Sequence, residues 1–114
     1  MSRRDDRASL RDMLTHAREA AALLRNADRE ELAANRVLQL ALTRLVEIIG
    51  EAANRVSDHG RSKHAEIPWA DIVGMRNRLV HGYDVIDYDV LWDTVTVDLP
   101  PLIKALERIL GEER

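Results

Sequence analysis

The stretch Asp87-Tyr88-Asp89-Val90-Leu91-Trp92-Asp93-Thr94-Val95-Thr96-Val97-Asp98-Leu99-Pro100-Pro101-Leu102-Ile103-Lys104-Ala105-Leu106 supports two incompatible readings, and the choice between them decides the fold class. Taken alone, Thr94-Val95-Thr96-Val97 alternates polar and β-branched residues, the pattern of a half-buried strand. Taken with its neighbours, Leu91, Val95, Leu99, Leu102, Leu106 and Ile109 stay in helical register from about Asp87 to Glu112. No other segment offers a strand partner, and a lone strand is unstable in water. The helical reading is therefore preferred. Proline removes an N–H and crowds the preceding turn, so the segment is either one helix kinked at Pro100-Pro101 or two helices meeting there.

The rest of the chain reads the same way. A first helix is expected from about Asp6 or Ser9, with Leu10, Met13, Leu14, Ala17, Ala21 and Leu24 on one face. Asp28 and Glu31 form a capping-box pattern ahead of a second stretch. That stretch runs through Leu38, Leu42, Leu45, Ile49, Ala52 and Val56, as one long helix or a short one followed by a long one. Gly50 inside it lowers helix propensity by about 1 kcal/mol against Ala and marks a close approach of another backbone. Ser57 to His64 is polar, contains a glycine and reads as a linker. A third helix begins at Pro68, with Trp69, Ile72, Val73, Arg76, Leu79 and Val80 on its face and Gly82 as its cap. Short connections between such helices give an all-α, antiparallel bundle of four to five helices. At 114 residues the chain has the size of one domain.

Composition narrows the function. The net charge is −3, so no global electrostatic footprint for nucleic acid exists and RNA contact must come from a local arginine patch. Arg3, Arg4, Arg7 and Arg11 form one such cluster, more simply read as a solvated face. Cysteine is absent, which excludes disulfides and thiolate metal sites. His59 and His64 lack ligand spacing and a third partner, so no metal site is expected. No apolar run approaches the roughly 18 residues of a membrane span, and no signal peptide follows Met1. A cytoplasmic protein without cofactor is the natural expectation.

The chemistry concentrates in Gly74-Met75-Arg76-Asn77-Arg78-Leu79-Val80-His81-Gly82-Tyr83. Counting about 100° per residue from Trp69 places Arg76 on the apolar stripe, where an unpaired guanidinium is expensive to bury. His81 falls at the flank of the stripe, in the last turn before Gly82. Tyr83 returns to it if the helical path continues. Arginine holds a phosphoryl group bidentately as charge develops, and histidine moves a proton near neutrality. RNA brings its own nucleophile, the 2′-OH, so one His and one Arg suffice to cleave it without metal; DNA lacks that group. The competing view is that His81 merely favours a helix dipole and that Arg76 is a structural ion pair with Glu47 or Glu51. Glu47, Glu51 and Asn54 lie at i, i+4 and i+7 on the long helix, either as a solvated face or as residues serving Arg76 and its cleft.

The string from Gly74 to Tyr83, together with Ile67-Pro68-Trp69, Ile48-Ile49-Gly50-Glu51-Ala52-Ala53 and Leu99-Pro100, resembles the HEPN superfamily and, within it, the HepT-like toxins. The resemblance spans about residues 8 to 110. It implies a helical bundle that forms a homodimer with two active sites facing across a cleft. It implies a metal-independent endoribonuclease whose Arg-x4-His-x-Tyr motif is Arg76, His81 and Tyr83, with Asn77 orienting site or substrate, a role that the helical spacing also offers to Glu51 and Asn54. It further implies the toxin half of a type VII-like toxin–antitoxin pair. The partner would be a minimal nucleotidyltransferase antitoxin that silences the toxin by AMP transfer to Tyr83. The alternative is a non-catalytic helical subunit that binds such a nucleotidyltransferase.

Overall fold

A computed structural model of the chain describes residues 3–82 and 85–111, without the side chains of Arg3 and Arg4. The apolar stripes become α1 (Arg3–Leu24), α2 (Arg29–Ala34), α3 (Arg36–Asn54), α4 (Asp58–Lys63), α5 (Trp69–Val73) and α6 (Met75–Leu79). A short antiparallel ladder follows, β1 (Val80–His81) with β2 (Val85–Ile86). Then come α7 (Tyr88–Asp93), a π-helical turn (Thr94–Asp98) and α8 (Leu99–Leu110). The fold is an all-α bundle, as expected, carrying one small hairpin that was not.

Helix α1 packs against both α3 and α8. Met13, Leu14 and Ala17 of α1, Leu42, Val46 and Ile49 of α3, and Leu99 and Leu106 of α8 are fully buried in one contiguous cluster. Each such large side chain stabilises the fold by about 1.5–3 kcal/mol. Polar contacts set the directions. Asp6, near the start of α1, bonds Ser57 just past the end of α3, and Arg7 reaches the Leu110 carbonyl at the end of α8. Both neighbours therefore run antiparallel to α1.

Caps explain where the helices stop. Asp28 accepts from the Glu31 N–H at 2.8 Å, the N-terminal half of the expected capping box. Asn35 then divides the second stretch into a short and a long helix by accepting from the Leu38 N–H at 3.0 Å. Buried Gln39 closes the C-terminal end of α2 by donating to the Leu32 and Ala33 carbonyls at 2.8 and 3.1 Å. The expected linker is a correction: Ser57 caps the Gly60 N–H at 3.0 Å, and residues 58–63 form α4.

The opening stretch is helical throughout, and its irregularity lies just ahead of the prolines. The Leu99 N–H reaches back to the Thr94 carbonyl, one residue further than in an α-helix. Pro100 and Pro101 then occupy the first turn of α8, where a missing N–H is harmless. The Thr94 and Thr96 hydroxyls donate to the Val90 and Trp92 carbonyls four residues back, at 2.8 and 2.7 Å. The strand-like Thr-Val-Thr-Val pattern thus supplies side-chain hydroxyls to a widened turn, a pattern that also bends helices.

The third segment is the larger correction. Pro68 is the cap rather than the first helical residue, and the segment breaks at Gly74 into α5 and α6. The helix ends at Leu79, Val80 turns extended, and Gly82 sits in the hairpin at φ 65°.

Candidate active site

The site is built where α5 and α6 lean on the middle of α3. A Cβ placed on Gly50 would stand 3.2 Å from both the Ile72 and the Val73 carbonyl oxygens, closer than side chains comfortably pack. Gly50 therefore lets the end of α5 rest directly on α3, the close approach read from the sequence. Two further anchors hold this corner. Arg61 donates to the Ala53, Asn54 and Val56 carbonyls, closing the C-terminal end of α3. The Trp69 indole N–H is shared between the Arg61 and His64 carbonyls at 3.2 and 3.1 Å.

Because α6 restarts after Gly74, a single helical phase does not run from Trp69 to His81. Met75 takes the fully buried position and Arg76 moves to the rim, with 40% of its side chain exposed. The expected burial of Arg76 is thereby corrected. Its Nε lies 3.6 Å from Glu47 Oε2, which selects Glu47 over Glu51 as its partner. Arg44 contacts Glu47 on its other side and approaches Glu51 at 3.7 Å. Arg76, Asn77, Glu47, Glu51, Gly50, Asn54 and Val73 line one shallow depression of about 270 Å³. The structure therefore brings together Arg76, Asn77, Glu51 and Asn54, and adds Glu47.

His81 is not among the residues lining that depression. It projects from β1 rather than from a helix end, and its ring is 62% exposed. Its Nε2 lies 3.8 Å from Asp87 Oδ2. Asp87 is the N-cap of α7: its Oδ1 accepts from the Val90 N–H at 3.0 Å, and its own N–H donates to the Leu79 carbonyl at 2.7 Å. Tyr83, the expected modification site, lies outside the described residues. Among the described residues no three His, Asp or Glu side chains converge as metal ligands, and no helix is long and apolar enough to cross a membrane.

A family model described as "Ribonuclease HepT-like" matches residues 13–109. The chain belongs to the HepT-like ribonuclease family. Among curated relatives, a Methanocaldococcus jannaschii protein provisionally named an RNase is 38% identical over 107 residues, covering 94% of this chain and 98% of that protein. A second, similarly named protein of the same organism is 33% identical over 112 residues, covering 98% of this chain and 97% of that protein. "Probable ribonuclease HepT" of Thermococcus cleftensis is 35% identical over 105 residues, covering 89% and 96%. No solved structure gives a significant match.

For this HepT-like chain, of the two carboxylates that touch the motif the sequence offers one as an alternative and leaves the other unmarked. Glu47 had been named only as one of two possible partners of Arg76. Asp87 had not been singled out at all, although an Asp one position before a helical stretch is an N-cap signal. What no sequence signal carried was that the hairpin would return Asp87 beside His81.

Proposed function

We propose that this protein is a metal-independent endoribonuclease, acting through Arg76 and His81. The observation that carries the reading is the depression on α3, where the motif residues Arg76 and Asn77 meet Glu47, Glu51 and Asn54 at a solvent-open rim. An exposed guanidinium held by one carboxylate at 3.6 Å is available to exchange that carboxylate for a phosphate. In the reaction the 2′-oxygen of RNA attacks the adjacent phosphorus as His81 takes the 2′-OH proton. Arg76 stabilises the charge gathering on the phosphoryl oxygens. The bond to the 5′-oxygen breaks, leaving a 2′,3′-cyclic phosphate, and that oxygen takes a proton from a second imidazole. In a homodimer with facing sites, the second imidazole is His81 of the other copy.

The same reading makes the chain the toxin of a toxin–antitoxin pair in the cytoplasm. Its partner is a minimal nucleotidyltransferase, and AMP transfer to Tyr83 places a bulky anion beside the motif that repels RNA phosphates. The deciding experiment is induced expression of wild type and His81→Ala without antitoxin, scoring growth and total RNA. Growth arrest and RNA degradation by wild type alone support the reading. If both chains are harmless and purified wild type cuts no RNA, the enzyme claim fails, and a non-catalytic nucleotidyltransferase-binding subunit takes its place.

A further inference from the structure

The geometry points to Asp87 as a positioning residue that selects the tautomer of His81; this rests on the ribonuclease reading for its catalytic consequence, but not for the contact itself. Three features make Asp87 more than a passing surface charge. First, the ladder pairs Val80 with Ile86 and His81 with Val85, and the Asp87 N–H extends it to the Leu79 carbonyl at 2.7 Å. In an antiparallel ladder this puts residues 81 and 87 on one face as diagonal neighbours, within reach of each other's side chains. Second, the carboxylate is immobilised, because Oδ1 is committed to the Val90 N–H at 3.0 Å as the cap of α7. Third, the remaining oxygen, Oδ2, is the atom that faces His81 Nε2, at 3.8 Å.

An ionised carboxylate only accepts hydrogen bonds, whereas a neutral imidazole has one donor and one acceptor nitrogen. The nitrogen facing Asp87 is therefore the one that carries hydrogen, and the Nδ1 lone pair is left to take the 2′-OH proton. At 3.8 Å the contact is longer than a hydrogen bond, and a small rotation of the exposed ring closes it in the free protein. After proton transfer the imidazolium lies against a fixed negative charge. Asp87 itself exchanges no proton.

Asp87→Asn separates this role from the structural one. Asparagine caps helices as well as aspartate does, so α7 should survive. The amide oxygen then accepts from Val90, which turns the amide NH2, a donor, toward Nε2. That reverses the preference, placing the ring proton on Nδ1. The readout is the pair of His81 imidazole nitrogen shifts in long-range ¹H–¹⁵N spectra of the full chain, recorded with the ring neutral. Wild type is expected in the Nε2–H form and Asp87→Asn in the Nδ1–H form. RNA cleavage by the variant should fall in kcat by about a hundredfold or more, with KM nearly unchanged. The same tautomer in both chains overturns the proposal, as does an unchanged kcat despite a switched tautomer. If wild type cleaves no RNA, the ribonuclease reading falls while the nitrogen shifts still decide whether Asp87 sets the tautomer. Melting temperatures of wild type and Asp87→Asn, measured beside the cleavage assay, exclude a loss of stability as the cause.

Discussion

Two sets of polar contacts in this molecule behave as opposites. At the corner of α1 and α4, Asp6 is 7% exposed. Its Oδ1 accepts from the Ser57 N–H at 2.8 Å and its Oδ2 from the Ser57 hydroxyl at 2.5 Å. Burial by itself raises the Asp6 pKa, but the hydrogen bonds from the Ser57 hydroxyl and N–H lead the effects that hold the carboxyl below its ordinary 3.8. Two separate pairs, Arg76 with Glu47 beside α3 and His81 with Asp87 at the hairpin, consist of side chains each more than a third exposed and are 3.6 and 3.8 Å long. The first cluster is largely buried and closely hydrogen-bonded, so it contributes to stability. The second pairs are wet, and Arg76 and His81 are held only at long range, so these two groups remain available to a ligand. Exposed ion pairs contribute about 0–1 kcal/mol to folding, whereas a buried acceptor stripped of its donors costs about 1–3 kcal/mol.

The contrast is open to attack from either side. The largest effect expected is at the wet cluster: Arg76→Ala or His81→Ala should lower RNA cleavage by about 10²–10⁴-fold while leaving the melting temperature within a degree or two. A large loss of stability in either variant would show that the cluster is structural after all. At Asp6 the pattern should reverse. Asp6→Ala leaves the Ser57 N–H without its acceptor and should destabilise by about 1–3 kcal/mol, with no change in cleavage per folded molecule. Denaturant unfolding beside single-turnover cleavage tests this.

Acid sharpens the same prediction. A carboxyl with a depressed folded pKa stabilises the fold above its unfolded value. That contribution begins to fall away near 3.8 and is lost as the pH drops through the folded value. Melting temperatures of wild type should therefore fall more steeply below pH 4 than those of Asp6→Asn. Parallel curves would remove Asp6 from the account.

Gly50 lines the same depression as Arg76 and Glu47. Gly50→Ala pushes a methyl group against two backbone carbonyls at 3.2 Å. A loss of about 1–2 kcal/mol is expected, together with weaker cleavage, because α5 carries α6 and Arg76. If stability falls but cleavage does not, the seat of α5 on α3 does not position the site. The smallest effect belongs to Glu47→Gln. It releases Arg76 from its carboxylate and should tighten binding of an uncleavable RNA a few-fold, with stability altered by less than about 1 kcal/mol. Weaker binding would mean that Glu47 orients Arg76 rather than competing with phosphate.

Much of the fold was legible residue by residue. Leu10, Met13, Leu14 and Ala17 of α1, and Leu42, Leu45 and Ile49 of α3, were read at helical spacing and are buried. Helical periodicity is a local property, and an amphipathic stripe has few ways to hide its apolar side. The motif segment was legible in content but not in shape. Counting a single helical phase from Trp69 failed at Gly74, and the helix was carried two residues too far, into Val80 and His81. The break in phase leaves no periodic signal because it goes with how α5 rests on α3, and a two-residue ladder is too short to show a period.

What the sequence by itself determined is the class of the molecule and the inventory of its chemistry: helices from spacing, and an arginine, an asparagine and a histidine gathered within one decapeptide, in a chain that is 32% charged yet carries a net charge of only −3. Only the tertiary structure decided which carboxylates serve them. Glu47 rather than Glu51 meets Arg76 because Gly50 fixes how α5 and α6 lie across α3. Asp87 meets His81 because the chain leaves the helix at Val80 and doubles back through the hairpin. Side-chain partnership depends on ångström-scale placement of separate elements, and spacing along one element carries no record of it.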